Sequence, residues 1–200
     1  MPAHRPAADL AGLPTYGFGS ASPMWWGTLG FIAIEATGFV LAAGAYLFLA
    51  YVNGGFPLSA PPPDLGPGSA MTLLLLLSAL PNIWLDRVAR REDPRLVQLG
   101  LVLMSAIGLL ACGLRVLEFP ALNIGWDSNA YGSLQWLLLG LHTAHIATDV
   151  ADTLVLTVLM FTRHGHGKRF SDVSDNCFYW HFVVLSWLPI YVLIYWVPRF

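Results

Sequence analysis

The chain has 200 residues, of which 56% are hydrophobic and only 11% charged, and its formal net charge is −2. Soluble domains usually carry about 25% charged residues, so this composition, with a mean hydropathy of +0.61, excludes an ordinary soluble domain and predicts an integral membrane protein. The small negative charge, without a basic cluster, argues against nucleic acid as a partner, and Cys112 and Cys177 are too few for a disulfide framework.

Residues 1–23 are rich in Pro and Ala, hold Arg5 as their one basic side chain other than histidine, and lack the apolar run of a secretory signal. They predict a disordered or surface tail, leaving residues 24–200 as one transmembrane domain. Five apolar segments then follow, each long enough to cross about 30 Å of hydrocarbon at about 1.5 Å per residue. They are Trp25–Tyr51, Ser69–Val88, Arg95–Leu117, Tyr131–Phe161 and Phe178–Val197. The expected fold is an all-α, polytopic membrane bundle of five transmembrane helices.

The first segment carries Glu35 near its middle, flanked by Gly27, Gly30, Gly38 and Gly44. Glu35 reads either as a proton-active carboxyl or as a carboxyl hydrogen-bonded to a neighbouring helix, and the glycines predict close approach of another backbone. A Gly/Pro-rich linker separates the first segment from the second, and Pro81 and Pro189 are expected to kink the second and fifth. Near the end of the third, Arg115 and Glu118 stand three residues apart, a spacing that pairs them on one helical face. The expectation is an interfacial ion pair with the Arg115 side chain reaching outward to water.

The fourth segment, Tyr131–Phe161, contains no Lys, Arg or Glu, yet it holds His142, His145, Asp149 and Asp152. At about 100° per residue these four fall within about 80° of one another, and Gln135 joins the stripe. A carboxylate in hydrocarbon costs about 2.5–3.5 kcal/mol even on the mild insertion scale, so the stripe must face protein, water or an ion. Imidazole and carboxylate four residues apart could converge on a metal, and His142 could ligate haem if a second histidine, with His181 as the candidate, faced it. The other reading is a buried polar network. In the fifth segment Tyr179, Trp180, Trp187, Tyr191, Tyr195 and Trp196 read partly as interfacial aromatic belts.

Loop charges give an orientation. Arg87, Arg90, Arg91 and Arg95 surround the second connection and Arg163, Lys168 and Arg169 the fourth, while the first and third connections have no Lys or Arg. The positive-inside rule therefore puts the N-terminus in the cytoplasm and the C-terminus outside.

Several of these features occur together in one family. Tyr179-Trp180-His181-Phe182-Val183 with Trp187-Leu188 and Tyr191, Gly140-Leu141-His142 with His145, Glu35 with Gly38-Phe39, Glu118-Phe119, and Tyr131-Gly132-Ser133 resemble, in order and spacing, subunit III of the haem-copper terminal oxidases. The resemblance runs from about Trp25 to Trp196. It implies a divergent bacterial member in which five helices correspond to the last five of the seven-helix form. It also implies a subunit that binds no haem or copper, those residing in partner subunits. Such a subunit is not itself catalytic; it packs with oxidase subunits I and II in a hetero-oligomeric complex of the bacterial inner membrane, holds structural phospholipids, and supports complex stability, proton uptake and oxygen access. The complex would pass electrons from cytochrome c, or alternatively quinol, to oxygen and pump protons. Glu35 and Glu118 would be the buried carboxyls, His142 and His145 helix-contact histidines, and Arg115, Trp180, His181 and Trp187 lipid or subunit contacts.

The chain departs from the family pattern where Val184 stands in place of a common Asp, where Arg115 stands in place of a common Glu, and at Asp149 and Asp152. One expectation is that the carboxyl missing at Val184 has moved to the fourth helix, which requires Asp149 and Asp152 to lie against the fifth helix or another polar partner. Alternatives are an accessory protein of a quinol oxidase or nitric oxide reductase, and a stand-alone membrane protein holding metal or haem on the His/Asp stripe. A small transporter is disfavoured because no internal repeat is visible.

Overall fold

A computed structural model describes residues 16–163 and 165–200. Among them are five helices long and apolar enough to span a membrane, and no strand. They are α1 (Pro23–Val52), α2 (Leu65–Ala89), α3 (Pro94–Glu118), α4 (Ala130–Met160) and α5 (Lys168–Tyr191). α1 and α3 begin with proline just after a capping residue, where the missing N–H is no loss and φ is already helical. The caps are Ser22, whose hydroxyl accepts from the Met24 N–H, and Asp93, whose carboxylate accepts from the Arg95 and Leu96 N–H groups. Asn129 caps α4 by accepting from the Gly132 N–H.

α2 packs on α3 and α5, and α4 packs on the same two helices, so these four form a closed ring. α1 lies outside it, against α4 and α5. The contrast in burial is large: 17% of the apolar window of α1 is buried, against 50% for α5. α5 is thus the central element and α1 the peripheral one. Close approach inside the ring needs glycine at two places. A Cβ at Gly108 would lie 2.5 Å from Val150 Cγ2, and one at Gly68 would lie 2.3 Å from the Tyr195 ring. By contrast, a Cβ at Gly27, Gly30, Gly38 or Gly44 meets nothing within 4 Å. The glycines of α1 therefore do not serve close packing within this chain, contrary to the sequence expectation, because each faces open space, Gly27 at the lining of a cleft beside α4 and α5.

α5 differs most from its predicted span, starting at Lys168 rather than Phe178. Its first turns are polar in sequence, and hydropathy alone discards them, but Ser171, Ser174, Asp175 and Asn176 are buried against neighbouring helices. α2 continues as helix through Pro81, whereas α5 passes Pro189 and then widens into a π turn over Val192–Trp196. Proline removes one backbone donor and crowds the preceding turn, and the wider turn that follows leaves the Ile194 carbonyl free to accept from Gln135 Nε2 at 3.3 Å. Arg199 then clamps this end, donating to the carbonyls of Tyr195 and Pro63.

Of the predicted tail, residues 1–15 lie outside the described residues. From Tyr16 onward the chain is tied to the bundle: the Tyr16 hydroxyl donates to Glu92 at 2.8 Å and Ser171 donates to the Gly17 carbonyl at 2.5 Å. Donation to the Glu92 carboxylate holds the Tyr16 phenol above its ordinary pKa, so this tie is intact at neutral pH and is lost only as pH rises beyond the tyrosine range.

Candidate functional site

The polar side chains predicted on separate segments gather into two clusters inside the bundle. The first centres on Arg115, at the end of α3. It is 1% exposed and Glu118 is 0% exposed, so the pair is buried and Arg115 does not reach outward to water as expected. The physical reason is that the tertiary fold supplies Arg115 with partners that a lone helix lacks. Its Nη1 donates to Glu118 Oε2 at 2.5 Å, its Nη2 to His142 Nδ1 at 2.8 Å, and its guanidinium lies 4.4 Å from the Trp187 ring. Glu118 Oε1 accepts from the Tyr195 hydroxyl at 2.6 Å, and Trp187 Nε1 donates to Thr72. A charge pair this deep persists only when hydrogen bonds occupy most of its donors and acceptors.

This geometry fixes the tautomer of His142. Its Nε2 lies 2.9 Å from the Val183 carbonyl oxygen, which can only accept, so Nε2 carries the proton. Nδ1 is then the acceptor for Arg115. Both ring nitrogens are engaged within the chain. His181, the proposed facing histidine, sits instead beside Asn82 of α2, at 3.0 Å, and the Cys177 carbonyl. Trp180 donates to Ser78, again on α2. His142 and His181 are therefore attached to different neighbours rather than to one another.

The second cluster joins α1, α4 and α5. Glu35 accepts from the Tyr179 hydroxyl at 2.7 Å through Oε2, and its Oε1 lies 3.1 Å from His145 Nε2. His145 Nδ1 is 2.6 Å from the Leu141 carbonyl oxygen and must donate to it. One proton is therefore shared across the Glu35–His145 contact, on whichever atom it resides. A turn away, Asn176 of α5 bridges both aspartates: its Nδ2 donates to Asp149 at 3.3 Å and to Asp152 at 3.2 Å, while its Oδ1 accepts from Thr153. Asp149 and Asp152 thus do lie against the fifth helix, as the idea of a relocated carboxyl requires. Among the described residues, no group of three or more His, Cys, Asp and Glu side chains is arranged to hold a metal ion.

Beside this cluster, α1, α4 and α5 enclose a cleft of about 650 Å³. Its mouth is lined by Lys168, Arg169 and Asp172, and its inner end by Glu35 and Tyr179. Phe31, Val155 and Leu159 form an apolar wall, while Asp149, Asp152 and Asp175 form a polar one. Tyr179, Asn176, Asp175 and Tyr195 were not among the residues singled out from sequence for polar roles. The aromatic run obscured the tyrosines. The spacing of Asp172, Asp175, Asn176 and Tyr179 at three to four residues is a signal that could have found the rest.

Comparison with known proteins places this architecture. A family model described as cytochrome c oxidase subunit III matches residues 70–198, more than half of the chain. The chain is 25% identical over 177 residues to cytochrome c oxidase subunit 3 of Thermostichus vulcanus, covering 87% of each protein. It is 25% identical over 204 residues to that of Alkalihalophilus pseudofirmus, covering 98% of this chain and 92% of the relative. Against the protein of the same name from Cyanidium caldarium the identity is 28% over 132 residues, 64% of this chain and 48% of that protein, so the chain spans about half the length of that longer relative. With the five-helix bundle and the matched stretch from α2 to the end of α5, the chain belongs to the cytochrome c oxidase subunit III family.

Proposed function

We propose that this multi-pass membrane protein is the non-catalytic subunit III of a bacterial proton-pumping haem-copper oxidase, residing in the inner membrane with residues 24–200 as its membrane domain. Family membership makes it a component of a multi-subunit oxidase. The observation that carries the non-catalytic reading is the engagement of both ring nitrogens of His142 and of His145 by groups of the chain itself. These histidines hold helices together. Redox chemistry, with its haem and copper, belongs to subunits I and II, and this chain contributes stability, lipid contacts and a local proton-exchanging carboxyl at Glu35.

The basic connections between α2 and α3 and between α4 and α5 face the cytoplasm in this reading, so the cleft opens on the proton-uptake side. Lys168 and Arg169 at its mouth suit the phosphate of a phospholipid whose chains lie outside the cleft, along the exposed apolar flank of α1 that includes Ile34, Leu41 and Phe48. The test is purification of the tagged chain from its native membrane in mild detergent. Haem-bearing subunits are expected to travel with it, and their identity separates a cytochrome c oxidase from a quinol oxidase or nitric oxide reductase. A chain that is stable alone and never associates with a haem protein overturns the proposal.

A further inference from the structure

The cleft between α1, α4 and α5 contains more carboxylate than the chain neutralises. Asp149 is 3% exposed; its Oδ1 is held by Asn176, but its Oδ2 has no hydrogen-bond partner. Asp175 is 5% exposed with neither oxygen partnered, and Asp172, paired with Arg169 at 2.8 Å, has one oxygen in the same condition. All of them line the cleft. A buried acceptor without a partner costs about 1–3 kcal/mol, so these oxygens demand a donor from the cleft itself. A volume of about 650 Å³ accommodates many waters, at about 30 Å³ each.

The carboxyls are also arranged in depth. At about 1.5 Å per residue, Asp172 and Asp175 lie about 6 and 10 Å along α5 from Lys168. By the same rise, Asp152 and Asp149 lie about 12 and 16 Å along α4 from Met160, and Glu35 about 18 Å along α1 from Pro23. We propose that the cleft is a hydrated proton inlet, in which Asp152 and Asp149 relay protons between the α4–α5 end of the bundle and the Glu35–His145 pair. This deepens the role proposed above and rests on it only for the side of the membrane on which the inlet opens.

The transfer balances as follows. A hydronium at the mouth gives its proton to the Asp152 carboxylate, forming an O–H bond and leaving water. Asn176 donates one N–H to each aspartate and so keeps the two carboxyls adjacent, and water carries the proton from Asp152 to Asp149. Asp149 passes it through water to the Glu35 carboxylate once the proton shared with His145 has moved to Nε2. The inner pair then holds one additional proton and one additional positive charge, and discharge is the reverse. Beyond that point the imidazole is closed in: Nδ1–H is bound to the Leu141 carbonyl, and the rings of Phe39 and Phe182 stand beside it. The inlet therefore stores a proton rather than conducting it across the bundle. This assigns a purpose to Asp149 and Asp152, the two stripe residues that the family resemblance left unexplained.

The experiment is deuterium exchange at the Glu35–His145 pair, followed by infrared spectroscopy on the purified complex, with bands assigned by their loss in Glu35→Gln. Two variants obstruct the inlet differently. Asp149→Asn with Asp152→Asn removes the relay while preserving shape. Gly27→Phe adds a ring at the cleft lining without replacing a carboxyl, and a Cβ at Gly27 meets nothing within 4 Å. Each is expected to slow exchange by about tenfold or more, a barrier rise of about 1.4 kcal/mol. Gly44→Phe, also in open space but outside the cleft lining, should exchange at the parent rate. Parent-rate exchange in Gly27→Phe, or equal slowing by Gly44→Phe, overturns the inlet. If the double variant does not assemble, Gly27→Phe alone decides. Because exchange is read without turnover, its failure is separate from a failure of the oxidase assignment, which the co-purifying chains report.

Discussion

At the scale of single residues, the cluster around Arg115 is organised by pairing most buried donors with acceptors where water is scarce. Arg115 shows why removal of one partner is worse than removal of both. Arg115→Leu leaves the Glu118 carboxylate buried beside the Tyr195 hydroxyl, and a loss of about 3–5 kcal/mol is expected. Arg115→Leu with Glu118→Leu should lose less than the sum of the single changes, because no unpaired charge remains. Thermal denaturation of the purified complex checks both. At Glu35 the comparison is between Gln and Ala. Gln can still accept from Tyr179 and donate to His145 Nε2, so its cost should be under about 1 kcal/mol. Ala strands both partners and should cost about 1–3 kcal/mol. Equal losses would show that the site responds to side-chain volume rather than to hydrogen bonding.

At the scale of elements, two glycines of the same helix should behave oppositely. Gly108→Ala drives a Cβ to 2.5 Å from Val150 on α4, and β-branched valine has little freedom to withdraw. An overpacking cost of about 1–3 kcal/mol is expected, read from the melting temperature. Gly113→Ala meets nothing within 4 Å and should be neutral or stabilising by about 0.5–1 kcal/mol through helix propensity. The ends of elements were less legible in sequence than their middles. Hydropathy located α1 to α4 within a few residues, but placed the start of α5 at Phe178 rather than Lys168. The polar first turns of α5 contribute to burial only because α2 and α4 bring Asp86, Asp149, Asp152 and Thr153 to meet them.

At the scale of the whole molecule, the proposed orientation rests on four arginines clustered around one connection and three basic residues on another, against none on the first and third. In a background lacking Cys112 and Cys177, Ser128→Cys should react with an impermeant maleimide in intact cells, and Arg163→Cys only after permeabilisation. The reverse pattern would invert the bundle and move the cleft mouth to the outer side.

The sequence by itself determined the five spans, the pairing of Arg115 with Glu118, the stripe of α4 and the family motifs. These depend on composition and on spacing within one helix, which helical geometry converts directly into position. The tertiary structure alone decided that Arg115 is buried under Trp187 and His142, that Glu35 meets His145 and Tyr179, and that Asn176 joins the two aspartates. Those contacts connect residues many turns apart in the chain. Their physical cause is the rotation and depth of each helix in the bundle, set by packing among all five and by no local pattern.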